Sequence, residues 1–109
     1  DLALVSQFCD RVYVMYAGSV VEDGPTAAVL GTPMHPYTRA LLRALPECAQ
    51  PGEPLQSIPG TVPNLSQPLV GCSFAPRCTQ VQPKCSSKPP LQAFSNHHQT
   101  ACWFAKETP

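Results

Sequence analysis

Residues 1–24 read DLALVSQFCDRVYVMYAGSVVEDG, and the change of period inside them decides the fold. From Asp1 to Asp10, Leu2, Val5 and Cys9 fall on one helical face with Leu4 and Phe8 beside them, so the spacing predicts a short amphipathic helix packed on a core. Cys9 reads there as small apolar packing, not as a nucleophile. Arg11 to Ala17 is rich in β-formers, Gly18 and Ser19 interrupt it, and Val20 to Glu22 resume before Asp23 and Gly24. That succession predicts a β-hairpin closed by a tight glycine turn.

Downstream of the hairpin the periodicity returns to helical. Thr26 is placed to cap a brief helix carrying Ala27 to Leu30, which Gly31 and Pro33 stop. A further helix is expected to begin near Pro36, because proline at the first helical position forfeits no needed hydrogen bond. Tyr37, Ala40, Leu41, Ala44 and Leu45 form its apolar stripe, Arg39 and Arg43 lie opposite, and Pro46 ends it. His35 reads as a helix-entry residue, since no partner nucleophile or acid accompanies it.

From Pro46 to Pro68 the character changes. Six prolines, at 46, 51, 54, 59, 63 and 68, separate isolated apolar residues Leu55, Ile58, Val62 and Leu65. Such a segment cannot build a core, although it packs well on a body that receives its side chains. Residues 69–104 then contain few large apolar side chains, Phe74, Val81, Leu91, Phe94, Trp103 and Phe104 among them. A unit this poor in core needs a covalent or metal staple.

Composition narrows the function classes. Of 109 residues 43% are hydrophobic, 13% are charged and 14 are proline, with seven basic and seven acidic residues giving zero formal charge. No global field draws such a chain to nucleic acid or an anionic bilayer. The longest apolar run, Val12 to Ala17, is far below the ~18 residues of a membrane-crossing helix. The chain begins at Asp1 without an initiator methionine or a signal-peptide pattern, so an upstream part is expected.

The six cysteines divide into two isolated ones, Cys9 and Cys48, and four clustered ones, Cys72, Cys78, Cys85 and Cys102, with five, six and sixteen residues between successive members. Four thiolates suit tetrahedral zinc or a cubane iron–sulfur cluster. The spacing lacks the C-x-x-C knuckle typical of zinc ribbons, whereas a larger cluster accepts wider loops. Iron–sulfur leads, with zinc, structural disulfides and unligated thiols as alternatives. Four such ligands complete a coordination sphere, so the expected role is to staple the tail. His97 and His98 are read as solvated, and Arg77, Lys84, Lys88 and Lys106 as scattered surface charge. Trp103 and Phe104 are expected to shield the centre.

Two passages carry a resemblance. The run DLALVSQFCDRVYVMYAGSVVEDG with TPMHPYTRALLRALP resembles the end of the nucleotide-binding domain in bacterial peptide-importer ABC ATPases, and HPYTRALLRALP, IPGTVPNL and GCSFAPRC in that order resemble the C-terminal extension of the same branch. The resemblance implies an α/β fragment. Residues 1–45 would be the C-terminal end of an ABC-type P-loop ATPase domain, made of a helix, a β-hairpin and short helices. Residues 46–68 would be a Pro-rich linker or extended arm, and 69–109 a small irregular Cys-rich extension. It also implies a [4Fe-4S] cluster at Cys72, Cys78, Cys85 and Cys102.

For the whole subunit the resemblance implies ATP and magnesium bound with a second ABC ATPase subunit, and transmembrane permease subunits fed by a substrate-binding protein. The location it implies is peripheral, at the cytoplasmic face of the inner membrane, energising uptake of di- or oligopeptides. Another small solute such as nickel, or a free-standing four-cysteine module, is the alternative. The phosphate-cradling G-x-x-x-x-G-K-[ST] loop is absent from these residues, as are the Walker B acid and the signature motif. The chain alone is therefore expected not to hydrolyse ATP.

Overall fold

The hairpin forms where the sequence places it. In the computed structural model, which describes residues 2–45, 52, 57–66, 70–95 and 97–105 (backbone only at 2 and 3), strand β1, Arg11–Tyr16, pairs antiparallel with β2, Ser19–Pro25. Ala17 and Gly18 connect them with φ of 51° and 83°, and two left-handed residues in a two-residue loop match the right-handed twist of the flanking strands. The register shifts once: Val14 faces Glu22 while Met15 faces Val20, leaving Val21 as an extra residue on β2. A bulge of this kind redirects a strand. The Val21 carbonyl accepts from Ala101 N at 2.8 Å and Thr100 Oγ1 at 3.3 Å.

Helix α1, Leu2–Phe8, precedes β1, and α2, Thr26–Gly31, follows β2. Thr26 is the first residue of its helix and not the cap expected; Pro25 holds the cap position with no side-chain bond. The threonine turns back instead, its amide donating to Asp10 O at 3.0 Å and its hydroxyl to Cys9 O at 2.6 Å. This clasp joins α2 to the end of α1. Cys9 itself is exposed, as are Leu4 and Phe8, whereas Val5 is half-buried, so the expected packing of that face is only partial and Cys9 is not part of a core.

Helix α3 spans Pro36–Arg43. Its stripe is only half-buried: Tyr37 and Leu41 pack at the margin of the core, and the fully buried positions are Pro36 and Thr38. Beyond α3, residues 46–51, 53–56 and 67–68 of the expected arm, and residue 69 of the expected extension, lie outside the described residues. Ile58 packs on the core, whereas Val62 and Leu65 are exposed.

The tail, expected to be irregular, contributes two strands. Strand β3, Gln92–Ser95, pairs antiparallel with β4, His98–Thr100, and β4 pairs antiparallel with β2, giving one sheet in the order β1-β2-β4-β3. Its interior strand β2 is buried from Val21 through Gly24, which accounts for four consecutive buried residues that no simple in-out alternation would give. The core is Val14, Tyr16, Val21, Val29 and Phe74. Phe74 comes from the cysteine segment, standing 5.3 Å from Tyr16 edge-on and 5.4 Å from Tyr37 between ring centroids. Aromatic pairs at such separations each contribute about 0.5–1.5 kcal/mol beyond area burial. The tail thus completes a core it could not make alone.

Candidate metal centre and its anchorage

Gly71 sets the position of the first clustered cysteine. Its φ is +71°, and a Cβ there would stand 2.6 Å from the Cys85 carbonyl oxygen, so only glycine permits the approach. That approach lets Cys72 N donate to Cys85 O at 2.9 Å, bringing two cysteines thirteen positions apart side by side. Cys78 follows a 3-10 turn, Ala75–Arg77, and Cys85 sits in another, Pro83–Ser86; proline opens the second and is the middle residue of the first. Cys102 is delivered by β4 and by the Ala101 amide bonded to the β2 bulge.

All four thiols line one apolar-walled cavity, whose wall is continued by His35, Phe74, Trp103 and Phe104. Burial raises the pKa of Cys78 and of Cys102, and the other clustered cysteines push both further in the same direction. Backbone amides at Gln80 and Phe104 oppose the shift, the former donating to Cys78 Sγ at 3.3 Å. Among the described residues, no group of three or more His, Cys, Asp or Glu stands ready to hold a metal ion. The thiols share a cavity wall without forming a closed coordination sphere. As a donor set they still fit a thiolate-bound centre, because all four are free and face the same enclosed, apolar space.

Trp103 lines the cysteine cavity, its indole N–H donating to Ser87 O at 2.9 Å and its ring lying 4.4 Å from the Lys84 ammonium.

The site is anchored by a group that sequence reasoning did not single out. Glu22 on β2 is fully buried; its Oε1 accepts from His35 N at 2.9 Å, and its Oε2 accepts from Met34 N at 2.9 Å and His98 Nε2 at 2.6 Å. His98 is therefore not a solvated loop residue. It is 2% exposed, and Gly24 makes room for it, since a Cβ there would come within 3.2 Å of the imidazole. His35 enters α3 as expected, its Nδ1 accepting from Tyr37 N at 3.0 Å. Burial lowers its pKa to about 4, so the ring is neutral at physiological pH.

Arg77 also differs from the surface charge expected of it. Its guanidinium donates to Pro59 O at 2.9 Å, Ile58 O at 3.3 Å and Tyr16 Oη at 3.2 Å, tying the I-P-G turn and the cysteine segment to β1. The Arg77 stem lies against Gly60, which has φ of +82°.

The chain matches known proteins over this same architecture. The family model described as "Oligopeptide/dipeptide transporter, C-terminal region" matches residues 21–85. A relative from Escherichia coli (strain K12), named "Probable D,D-dipeptide transport ATP-binding protein", is 49% identical over 108 residues, covering 98% of this chain and 33% of the relative. One from Sinorhizobium fredii, named "Probable peptide ABC transporter ATP-binding protein", is 44% identical over 109 residues, covering 98% of this chain and 32% of the relative. The chain spans about a third of the length of the curated relatives it matches. The end of β2 with Glu22, the HPYT helix entry, the IPG turn and the first three clustered cysteines fall inside the matched region, and the chain belongs to the oligopeptide/dipeptide transporter C-terminal region family.

Proposed function

We propose that this chain is the C-terminal part of the ATP-binding subunit of an ABC importer for di- or oligopeptides. Near-complete coverage by relatives named as peptide-transport ATP-binding proteins carries this reading. In the whole subunit, ATP and magnesium would bind upstream, against a second ATPase subunit, and closure would be coupled to permeases that receive peptide from a substrate-binding protein. No helix among the described residues is long and apolar enough to cross a membrane, which suits peripheral attachment through permeases at the cytoplasmic face of the inner membrane. The part described here contributes scaffold.

Residues 1–45 would close the ATPase domain, 46–68 would be the Pro-rich arm, and 69–109 the cysteine extension, held on by β4 and Glu22. Cys72, Cys78, Cys85 and Cys102 would hold a [4Fe-4S] cluster. Bound there, the cluster supplies four metal–thiolate bonds that cross-link the extension. The residues around it would orient those thiols: Gly71 aligns Cys72 with Cys85, Phe74 inserts into the core, and Trp103, tied to Ser87, lines the cavity.

The test of the transport reading is uptake of labelled di- and tripeptides in cells with the gene disrupted and then restored. Uptake lost on disruption and recovered on restoration is the expected result. Unchanged peptide uptake with loss of uptake of another solute, such as nickel, would overturn the peptide assignment.

A further inference from the structure

A second cavity opens against α3, distinct from the one the four clustered cysteines line. It measures about 210 Å³ and is lined by three guanidinium side chains, Arg39 and Arg43 from α3 and Arg77 from the cysteine segment. No acidic side chain is among its described lining residues. The two buried carboxylates of the sheet are committed elsewhere, Glu22 to His98 and Asp23 to Arg11.

The three arginines are not equivalent. Arg77 is immobilised by its bonds to Pro59, Ile58 and Tyr16, so its charge is a fixed part of the wall. Arg39 donates through Nη2 to Met34 O at 3.0 Å, but its Nε is buried with no acceptor among the described residues. A buried charged donor without an acceptor is costly and rare. Arg43 is exposed at the rim and forms no ion pair among the described residues. Three like charges around one partly enclosed space repel one another unless an anion lies between them. Ser57, Thr79 and Gln80 border the same space with neutral polar groups.

We propose that this cavity is a binding site for a small oxyanion of the phosphate class. Tetrahedral oxyanions take several guanidinium forks at once, and a fixed Arg77 with Arg39 and Arg43 lining the same cavity is preorganised for one. The site adjoins the cysteine cavity, sharing Pro36, Phe74 and Gln80 with its wall, but none of the four clustered cysteines lines it. None of its lining residues belongs to a nucleotide phosphate loop, a motif these residues do not contain.

The test is calorimetric titration of inorganic phosphate into the 109-residue chain and its Arg43→Gln variant, with sedimentation on phosphatidylglycerol and phosphatidylcholine vesicles as a second arm. Because Arg43 is exposed, its replacement leaves the fold intact, checked by far-UV circular dichroism. The expected result is binding of phosphate that weakens at least about tenfold in Arg43→Gln. Arg43-dependent binding to phosphatidylglycerol vesicles without a response to free phosphate would assign the same chemistry to a lipid headgroup. Glu47 and Glu53 lie outside the described residues, so the Glu47→Gln/Glu53→Gln chain is titrated as well. Phosphate binding that appears only in that double variant, that is unaffected by Arg43→Gln, or that is absent in both arms would overturn the proposal.

Discussion

Glu22 holds two ends of the chain together with one carboxylate. It accepts from two consecutive backbone amides at the entry of α3 and from an imidazole 76 residues away, all without solvent. Each of those donors is buried by the fold and needs an acceptor, which is why an acid survives on a strand whose neighbours are Val21 and Asp23. Glu22→Gln presents an amide N–H₂ where an acceptor oxygen is required, leaving at least one buried donor unpaired. The expected loss is about 1–3 kcal/mol of unfolding free energy, read by urea denaturation. A change below about 0.5 kcal/mol, the size expected of a solvated surface residue, would show that the carboxylate is not the anchor described. Nothing in V-V-E-D-G marked this glutamate in advance, because its importance depends on His98, and the pairing is visible only once β4 lies beside β2.

The elements divide by how local their causes are. The β1–β2 hairpin and the start of α3 were legible because the glycine turn, found at Ala17–Gly18 one residue before the expected Gly18–Ser19, and Pro36 at the first helical position both act within a few residues. The β3–β4 hairpin was not. Its strands are short, one is wholly exposed, and β4 gains its place from Glu22↔Thr100 and Asp23↔Gln99 pairing across more than seventy residues. The cysteines were legible as a set through composition, while their positioning by Gly71 was not, since its need for left-handed geometry appears only against the Cys85 carbonyl. Gly71→Ala is therefore an element-scale test. The added methyl group forces the Cys72 and Cys85 backbones apart and should leave the chain markedly deficient in bound metal, measured by elemental analysis beside the unaltered chain. Full metal content in Gly71→Ala would show that this backbone clasp does not position the thiols.

At the scale of the whole molecule, the cysteine segment and the β1–β2 hairpin with α3 support one another. The segment supplies Phe74 to the core and β4 to the sheet, and receives a Glu22 anchor and an Arg77 clasp on β1. A tail so poor in apolar residues gains its order from that exchange and from whatever its thiols hold. Burial keeps Cys78 and Cys102 protonated in the absence of a ligand, so occupation of the centre must release protons and becomes more favourable as pH rises. The claim that joins these observations is that Cys72, Cys78, Cys85 and Cys102 together hold one iron–sulfur centre. Its most direct measurement is iron, zinc and acid-labile sulfide after oxygen-free purification, on the chain and on each of the four Cys→Ser variants. Iron and sulfide in equal amounts, falling sharply in every variant, is the result predicted; zinc without sulfide, or neither metal in the unaltered chain, would contradict it.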